Sequence, residues 1–251
     1  IVGLTASGDN ISVEHNEGRI YRFKPRANAE VNQWWITDEV RYGWKFVHRE
    51  DRLRLPGGKG RQPWVLEEAP EAWATAIDRA NGVLERAMDG RAVISPMLSC
   101  EDAFLLARWV RAIDPEAVLA VGPVPRHGSD RTFPSGFTVC AEKAPNARGV
   151  RRVLNAMDGK ILDSDAFLDQ ARSGSLGAVV VTGNYPSEWV TPAWSQALAK
   201  TPFVLIDTLP TELLAMAEVV LPGAAWVEKE GCFENRGGRI QAFDLPIAPV
   251  D

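Results

Sequence analysis

Apolar and polar positions follow two periods along this chain, and the switches between them mark its elements. Residues 11–25 alternate, with Ile11, Val13 and His15 before a turn at Asn16-Glu17-Gly18 and Tyr21 and Phe23 after it. A period of two around a Gly turn predicts a β-hairpin. Residues 28–62 are polar and irregular and end in Pro56-Gly57-Gly58-Lys59-Gly60. A phosphate-binding Walker loop needs Gly-Lys-Ser/Thr between strand and helix, and here Gly60 follows the Lys, so the stretch reads as a flexible connection. Over 67–88 the period lengthens. Ala72, Trp73, Ala76, Ile77, Ala80, Val83, Leu84, Ala87 and Met88 recur at helical spacing, and Gly90 ends the pattern.

Five short apolar runs follow: Ala92–Ser95, Ala117–Val121, Ala178–Thr182, Phe203–Ile206 and Val219–Leu221. Runs that are apolar on both faces suit buried parallel strands. Helical patterns separate most of them, over Glu101–Ile113, Ala147–Met157, Asp165–Ser173, Thr191–Lys200 and Thr211–Ala217. Ser99 with Asp102 three residues on predicts a capped start for the first of these. Strand and helix in alternation imply α/β: a doubly wound, mostly parallel, Rossmann-like sheet, here preceded by a small β-rich segment. The expected division is 1–62 for that segment and 63–251 for the α/β domain. Gly122–Arg148, with four Pro in it, reads as a long loop of the kind that is functional or faces a partner.

The C-terminal end carries the most specific pattern. Ala217-Glu218-Val219-Val220-Leu221-Pro222-Gly223 leads into Glu228-Lys229-Glu230-Gly231-Cys232-Phe233-Glu234-Asn235-Arg236-Gly237-Gly238-Arg239-Ile240-Gln241. This resembles the signature A-[DE]-V-V-L-P … E-x-x-G-[ST]-x-x-N-x-x-G-R-x-Q of the molybdopterin oxidoreductase family. The beginning of the chain narrows the resemblance. Asn10-Ile11, Gly18-Arg19-Ile20, Phe23-Lys24-Pro25-Arg26, Val31-Asn32, Trp35-Ile36-Thr37-Asp38-Glu39 and Arg41-Tyr42 are similar to the large iron–sulfur subunit of respiratory complex I. The resemblance implies a reduced version of the formate dehydrogenase/DMSO reductase-like α/β fold. It also implies other subunits of a respiratory or related electron-transfer complex as partners. The cytoplasm, on the membrane's cytoplasmic face within a peripheral arm, is the implied location.

In that family the N-terminal segment holds a four-iron cluster on C-x2-C-x3-C and a fourth Cys about thirty residues on. Laid on this chain, the pattern falls on Val2, Thr5, Asp9 and Thr37. Cluster iron is held by thiolates, and neither Val nor Thr supplies one. Phe23, Trp35, Tyr42 and Trp44 are expected to pack together over the emptied site. No resident cofactor is expected, with molybdopterin guanine dinucleotide as the alternative. The cofactor-binding candidates are Gly183 and Asn184, in a loop resembling the family's G-x-N-P, then Asp207 after the next strand, and Glu230, Asn235 and Arg239. For the last three, hydrogen bonds that lock the loop are the favoured role, with Gly237-Gly238 supplying positive φ. The complex I subunit keeps this motif where it has no pterin. The best functional reading is a degenerate molybdopterin-oxidoreductase-type scaffold inside an NADH:quinone oxidoreductase-like assembly. Its rival is an oxidoreductase domain that still binds a pterin guanine dinucleotide or another nucleotide.

Composition removes other classes. Net charge is −5, which lacks the basic stripe that nucleic-acid binding requires. The first 61 residues carry 11 basic and 8 acidic side chains, so that end alone is mildly positive. Cys100, Cys140 and Cys232 show no metal or disulfide spacing and fit a reducing compartment. His15, His48 and His127 lie too far apart in sequence to suggest a metal site. No signal peptide is expected, and the sequence holds no apolar run long enough to span a membrane. The first residue is Ile1, which suggests a processed or partial chain. Nine Trp is a high count, and Trp34, Trp35 and Trp44 could contact neighbouring chains, although core and turn packing is the favoured reading for any single one. Cys100, at a helix start that favours thiolate, is a conceivable metal ligand but reads better as a half-buried small residue. No nucleophile–base pair or carboxylate pair can be assembled, so no catalytic residue is expected.

Overall fold

A computed structural model describes residues 1–59, 70–87, 89–158, 161–174 and 176–249. The N-terminal hairpin forms as expected. Strand β1 (Ile11–Asn16) pairs antiparallel with β2 (Arg19–Pro25), with an irregularity at Glu14/His15. Glu17 and Gly18 both have positive φ, the conformation a tight two-residue hairpin turn requires. Helix α1 (Asp38–Tyr42) follows, capped by Thr37, and a 3-10 turn covers Gly43–His48.

The stretch at Gly57–Lys59 is not the loose connection its glycines suggest. Gly57 exchanges both backbone hydrogen bonds with Val220, and the Lys59 amide donates to the Ala217 carbonyl. These residues lie along the outer edge of the last sheet strand and satisfy backbone groups that an open edge would expose. Gly58 has φ +145°, and a Cβ there would sit 2.3 Å from the Glu218 carbonyl oxygen. Only glycine fits so close a backbone approach. Gly60 and the expected boundary at residue 62 lie outside the described residues.

The α/β part runs α2 (Pro70–Glu85), β3 (Arg91–Ile94), α3 (Cys100–Ile113), β4 (Val118–Val121), a short hairpin of β5 (Arg131–Thr132) and β6 (Thr138–Val139), α4 (Ala147–Asp158), α5 (Ser164–Arg172), β7 (Val179–Thr182), α6 (Pro192–Leu198), β8 (Phe203–Asp207) and β9 (Val219–Pro222). The five apolar runs are the five strands of one parallel sheet, in the order β4-β3-β7-β8-β9. Along each strand successive side chains enter opposite cores. Val93, Ala120, Val179, Val181, Phe203, Leu205 and Val220 face α5 and α6. Ala92, Ile94, Leu119, Val121, Val180, Val204 and Val219 face α2, α3 and α4. With both faces covered, the strand interiors are apolar on both sides, and polar residues such as Arg91, Thr182 and Asp207 stand only at strand ends. The helix expected over Thr211–Ala217 is only a 3-10 turn, Glu212–Ala215. The short connection between β8 and the adjacent β9 leaves too little chain for a longer helix.

A third core joins the two ends of the chain. Strands β10 (Gly231–Glu234) and β11 (Ile240–Phe243) form a hairpin. Its Phe233 and Phe243 pack with Trp226 against Val2, Leu4, Ile20, Phe23, Val40 and Phe46. Phe23 lies 5.6 Å from Trp226 between ring centroids. Phe23 is therefore buried as expected, but Trp35 and Tyr42 are 49% and 55% exposed and do not join it. Trp44 packs against the same core, and the rest of the aromatic cover over the N-terminal segment comes from Trp226 and the C-terminal hairpin. No helix among the described residues is long and apolar enough to cross a membrane.

Candidate functional site

A strand order of 2-1-3-4-5 reverses direction between β3 and β7, and ligands of such sheets bind outside the carboxyl ends of the strands at that point. Two loops meet there. Thr182, the last residue of β7, donates to the Val93 carbonyl at 3.1 Å and accepts from the Ser95 amide at 2.7 Å. Tyr185 then turns inward. Its hydroxyl donates to the Pro123 carbonyl at 2.6 Å, its ring stacks on Trp189, and it is 2% exposed. The crevice that a nucleotide would enter is thus filled by an aromatic pair of the chain itself.

Gly183, Asn184 and Asp207 do come together, but around one another. Asp207 is buried and accepts from the Asn184 amide, the Thr208 amide and the Trp189 indole at 2.7, 2.7 and 2.9 Å. Burial pushes its carboxyl up to about 6, and these donors pull against that rise. A Cβ on Gly183 would lie 2.0 Å from an Asp207 oxygen, so glycine is needed to admit the carboxylate. Asn184 has φ +65°, and its side-chain amide donates to the Ala224 carbonyl at 2.9 Å. Its Oδ1 is buried without a partner among the described residues. Asp207 therefore uses its acceptors to tie the β7 loop to its own strand end. What remains open at this end of the sheet is a cavity of about 590 Å³ beside Tyr185 and Trp189. Two cations on its wall are already paired, Lys143 with Glu39 and Arg126 with Glu142.

The C-terminal loop divides differently from expectation. Asn235 is buried, and its Oδ1 accepts from the Gly237 and Arg239 amides at 2.9 and 3.0 Å. Its amide nitrogen donates to the Ser7 carbonyl and to Gln241 Oε1, both at 3.3 Å. Gly238 takes positive φ, whereas Gly237 does not. Arg239 reaches outward to Glu30 at 2.6 Å, and both side chains are well exposed. Glu230 is exposed, and the buried acids of the motif are Glu228 and Glu234. Glu228 holds Arg52 through two hydrogen bonds of 2.5 and 2.8 Å and accepts from the Ala225 amide. Glu234 accepts from Arg148 and Arg152. The signature itself carried the signal for the first of these. Its E-x-x-G spacing falls on Glu228 and Gly231, not on Glu230. No sequence period could reveal Arg52 as the partner.

The positions aligned with cluster ligands have other roles. Val2 and Thr5 are buried, with the Val2 amide bonded to the Asp9 carbonyl and the Thr5 hydroxyl 2.9 Å from that of Ser7. Thr37 caps α1 by accepting from the Val40 amide. Asp9 is 2% exposed, and burial pushes its carboxyl up to about 6. A core valine, two bonded hydroxyls and a buried carboxyl supply no thiolate and do not fit a four-iron cluster. Among the described residues no group of three or more His, Cys, Asp or Glu is arranged to hold a metal ion.

The parallel sheet and its helices form an α/β fold consistent with that of the molybdopterin oxidoreductases. Residues 187–250 match the molybdopterin oxidoreductase family, and residues 3–45 match the NADH-ubiquinone oxidoreductase NDSU1/NuoG-like 4Fe-4S domain. The chain is similar to the G subunit of NADH-quinone oxidoreductase from several bacteria. It is 29% identical to that of Salmonella typhimurium over 86% of this chain and 25% of the relative. It is 33% identical to that of Pseudomonas fluorescens over 43% of this chain and 11% of the relative. With the Streptomyces coelicolor protein it shares 27% over 39% of this chain and 11% of the relative. The chain spans a quarter or less of the length of these relatives.

Proposed function

We propose that this chain is a structural module of an NADH:quinone oxidoreductase-like electron-transfer complex and holds neither an iron–sulfur cluster nor a pterin. The observation that carries the reading is the fate of the ligand positions: Val2 and Thr5 are core residues, and Thr37 is engaged in a helix cap. The module keeps a segment that matches a 4Fe-4S domain and fastens it to the C-terminal hairpin through Phe23, Trp226, Phe233 and Phe243. Its partners would be other subunits of the complex, meeting it on the cytoplasmic side of a membrane. Exposed Trp34 and Trp35 are suited to that contact.

One observation favours the rival reading. Asn184 Oδ1 is buried and unpartnered in the loop that resembles the family's pterin-contacting loop. A pterin or guanine N–H would satisfy it, and so would a water. Anaerobic reconstitution with iron and sulfide, followed by iron analysis and visible spectra, tests the first reading. Iron below stoichiometry and no sulfur-to-iron absorption are expected, and one bound cluster per chain overturns it. Thermal shift with guanosine and pterin nucleotides tests the second. A shift in the wild type that Asn184→Ala abolishes would make the chain a nucleotide-binding domain. Co-expression with the peripheral subunits of an NADH:quinone oxidoreductase should give a co-purifying complex, and failure to associate counts against the scaffold role.

A further inference from the structure

Cys100 and Cys232 are far apart in sequence, yet α3 and β10 bring them together. Cys100 is the first residue of α3, just after its cap Ser99. Cys232 is the second residue of β10. Residues 231 and 232 pack directly against residues 99 to 101, which brings the two cysteines close. Their surroundings hold both in place. The Cys232 amide donates to Glu101 Oε2 at 2.8 Å. Asn146 lies against Cys100 Sγ, at 3.5 Å for Nδ2 and 3.6 Å for Oδ1. The same Asn146 donates to the Leu98 carbonyl at 2.8 Å and accepts from the Glu234 amide at 2.7 Å, so one side chain ties the start of α3 to the end of β10. Two glycines permit the approach. A Cβ on Gly231 would lie 2.7 Å from Ser99 Cβ, and one on Gly149 would lie 2.7 Å from Cys100 Sγ.

We propose that Cys100 and Cys232 are a redox-convertible dithiol whose oxidation to a disulfide locks the C-terminal hairpin onto the α/β domain. The oxidant is a small-molecule disulfide such as oxidised glutathione. One protein thiolate attacks a sulfur of oxidised glutathione, forming a mixed disulfide and releasing glutathione thiolate. The second protein thiolate then attacks the protein sulfur of that mixed disulfide and releases the second glutathione. Two protein thiols become one disulfide, and one glutathione disulfide becomes two thiols. The protons lost by the protein thiols pass through solvent to the released glutathione thiolates. Both cysteines are half-buried, so the reagent can reach them. Burial raises both thiols above the ordinary range, and the Glu101 carboxylate raises Cys232 further. Exchange is therefore slow at neutral pH and quickens as pH rises, because the thiolate is the attacking species. A disulfide here closes a loop longer than half the chain and restricts the unfolded ensemble accordingly.

The test is incubation of the full chain with oxidised glutathione at about pH 7 and about pH 9, with a reduced control. Thiol titration, peptide mapping without reduction and thermal unfolding are then measured. The wild type should fall from three free thiols to one, yield a linked peptide pair containing Cys100 and Cys232, form no linkage between chains, and melt at a higher temperature than its reduced form. Cys140→Ser should give the same linked peptide and the same shift, since Cys140 is buried elsewhere, beside Thr138. Cys100→Ser, Cys100→Ala and Cys232→Ser should each lose both the linked peptide and the oxidation-dependent shift. Retention of all three thiols overturns the proposal. So does modification that stops at mixed disulfides with glutathione, or linkage only between chains. A wild-type shift that survives in Cys100→Ala would also overturn it.

Discussion

Arg52 and Glu228 form a bidentate ion pair across 176 residues, with side chains 3% and 0% exposed. The pair joins the segment after the N-terminal 3-10 turn to the loop that precedes the C-terminal hairpin. Each partner has a further anchor. Arg52 donates to the Val47 carbonyl at 3.0 Å, and Glu228 accepts from the Ala225 amide at 2.7 Å. Removing one side leaves a buried charge without its counter-ion, which costs roughly 3–5 kcal/mol. Arg52→Ala and Glu228→Ala should each lose about that much by denaturant unfolding. The double variant Arg52→Met/Glu228→Leu should recover a large part of the loss. If either single variant unfolds within about 1 kcal/mol of wild type, the pair is not holding the two ends together.

Sequence alone makes Asn235 and Arg239 equal members of one lock, and their environments separate them. Asn235→Ala leaves the Gly237 and Arg239 amides and the Ser7 carbonyl without their side-chain partner, at about 1–3 kcal/mol. Arg239→Ala removes a solvent-exposed ion pair with Glu30, which contributes roughly 0–1 kcal/mol and is screened by salt. Thermal and urea unfolding of the two variants should therefore rank Asn235→Ala well below Arg239→Ala. Equal losses would mean that Arg239 carries contacts beyond Glu30.

The five strands were legible because a sheet covered on both faces demands apolar residues along its interior, and runs of four or five such residues, rich in Val and Ile and set between helical patterns, are too short for helices. The capping box at Ser99 and Asp102 was legible because its chemistry is local, and both of its hydrogen bonds form. Contacts that join distant parts of the chain were not legible. Nothing near Phe23 in sequence says that Trp226 lies against it, and nothing near Trp35 says that it stays in solvent. The same limit hid Arg52 from Glu228. The glycines at 57 and 58 misled because glycine serves a flexible linker and a tightly packed edge equally well. Phe23→Ala should cost about 3–5 kcal/mol, as truncation of a fully buried aromatic does. Trp35→Ala should stay within about 1 kcal/mol of wild type in the isolated chain. A large loss at Trp35 would mean that its ring covers the core after all.

Asp9 gives the chain a pH dependence that can be isolated. The carboxyl is 2% exposed, and burial raises it from 3.8 to about 6, with Ser7 as a partial counterweight. Between those values the folded chain holds a proton that the unfolded chain has released. The stability contributed by the protonated form is thus complete below about pH 4 and is lost as pH rises through about 6. Other carboxyls titrate over the same range, so the absolute curve mixes several groups. Burial also raises Glu142, on the wall of the same cavity as Asp9. Asp9→Asn removes one titration and leaves the others. The difference in unfolding free energy between wild type and Asp9→Asn should change by up to roughly 3 kcal/mol between about pH 4 and pH 7, with the wild type losing ground as pH rises. Urea titrations across that pH range read this directly. Parallel curves for the two proteins would mean that the Asp9 carboxyl ionises in the folded chain as readily as in the unfolded one.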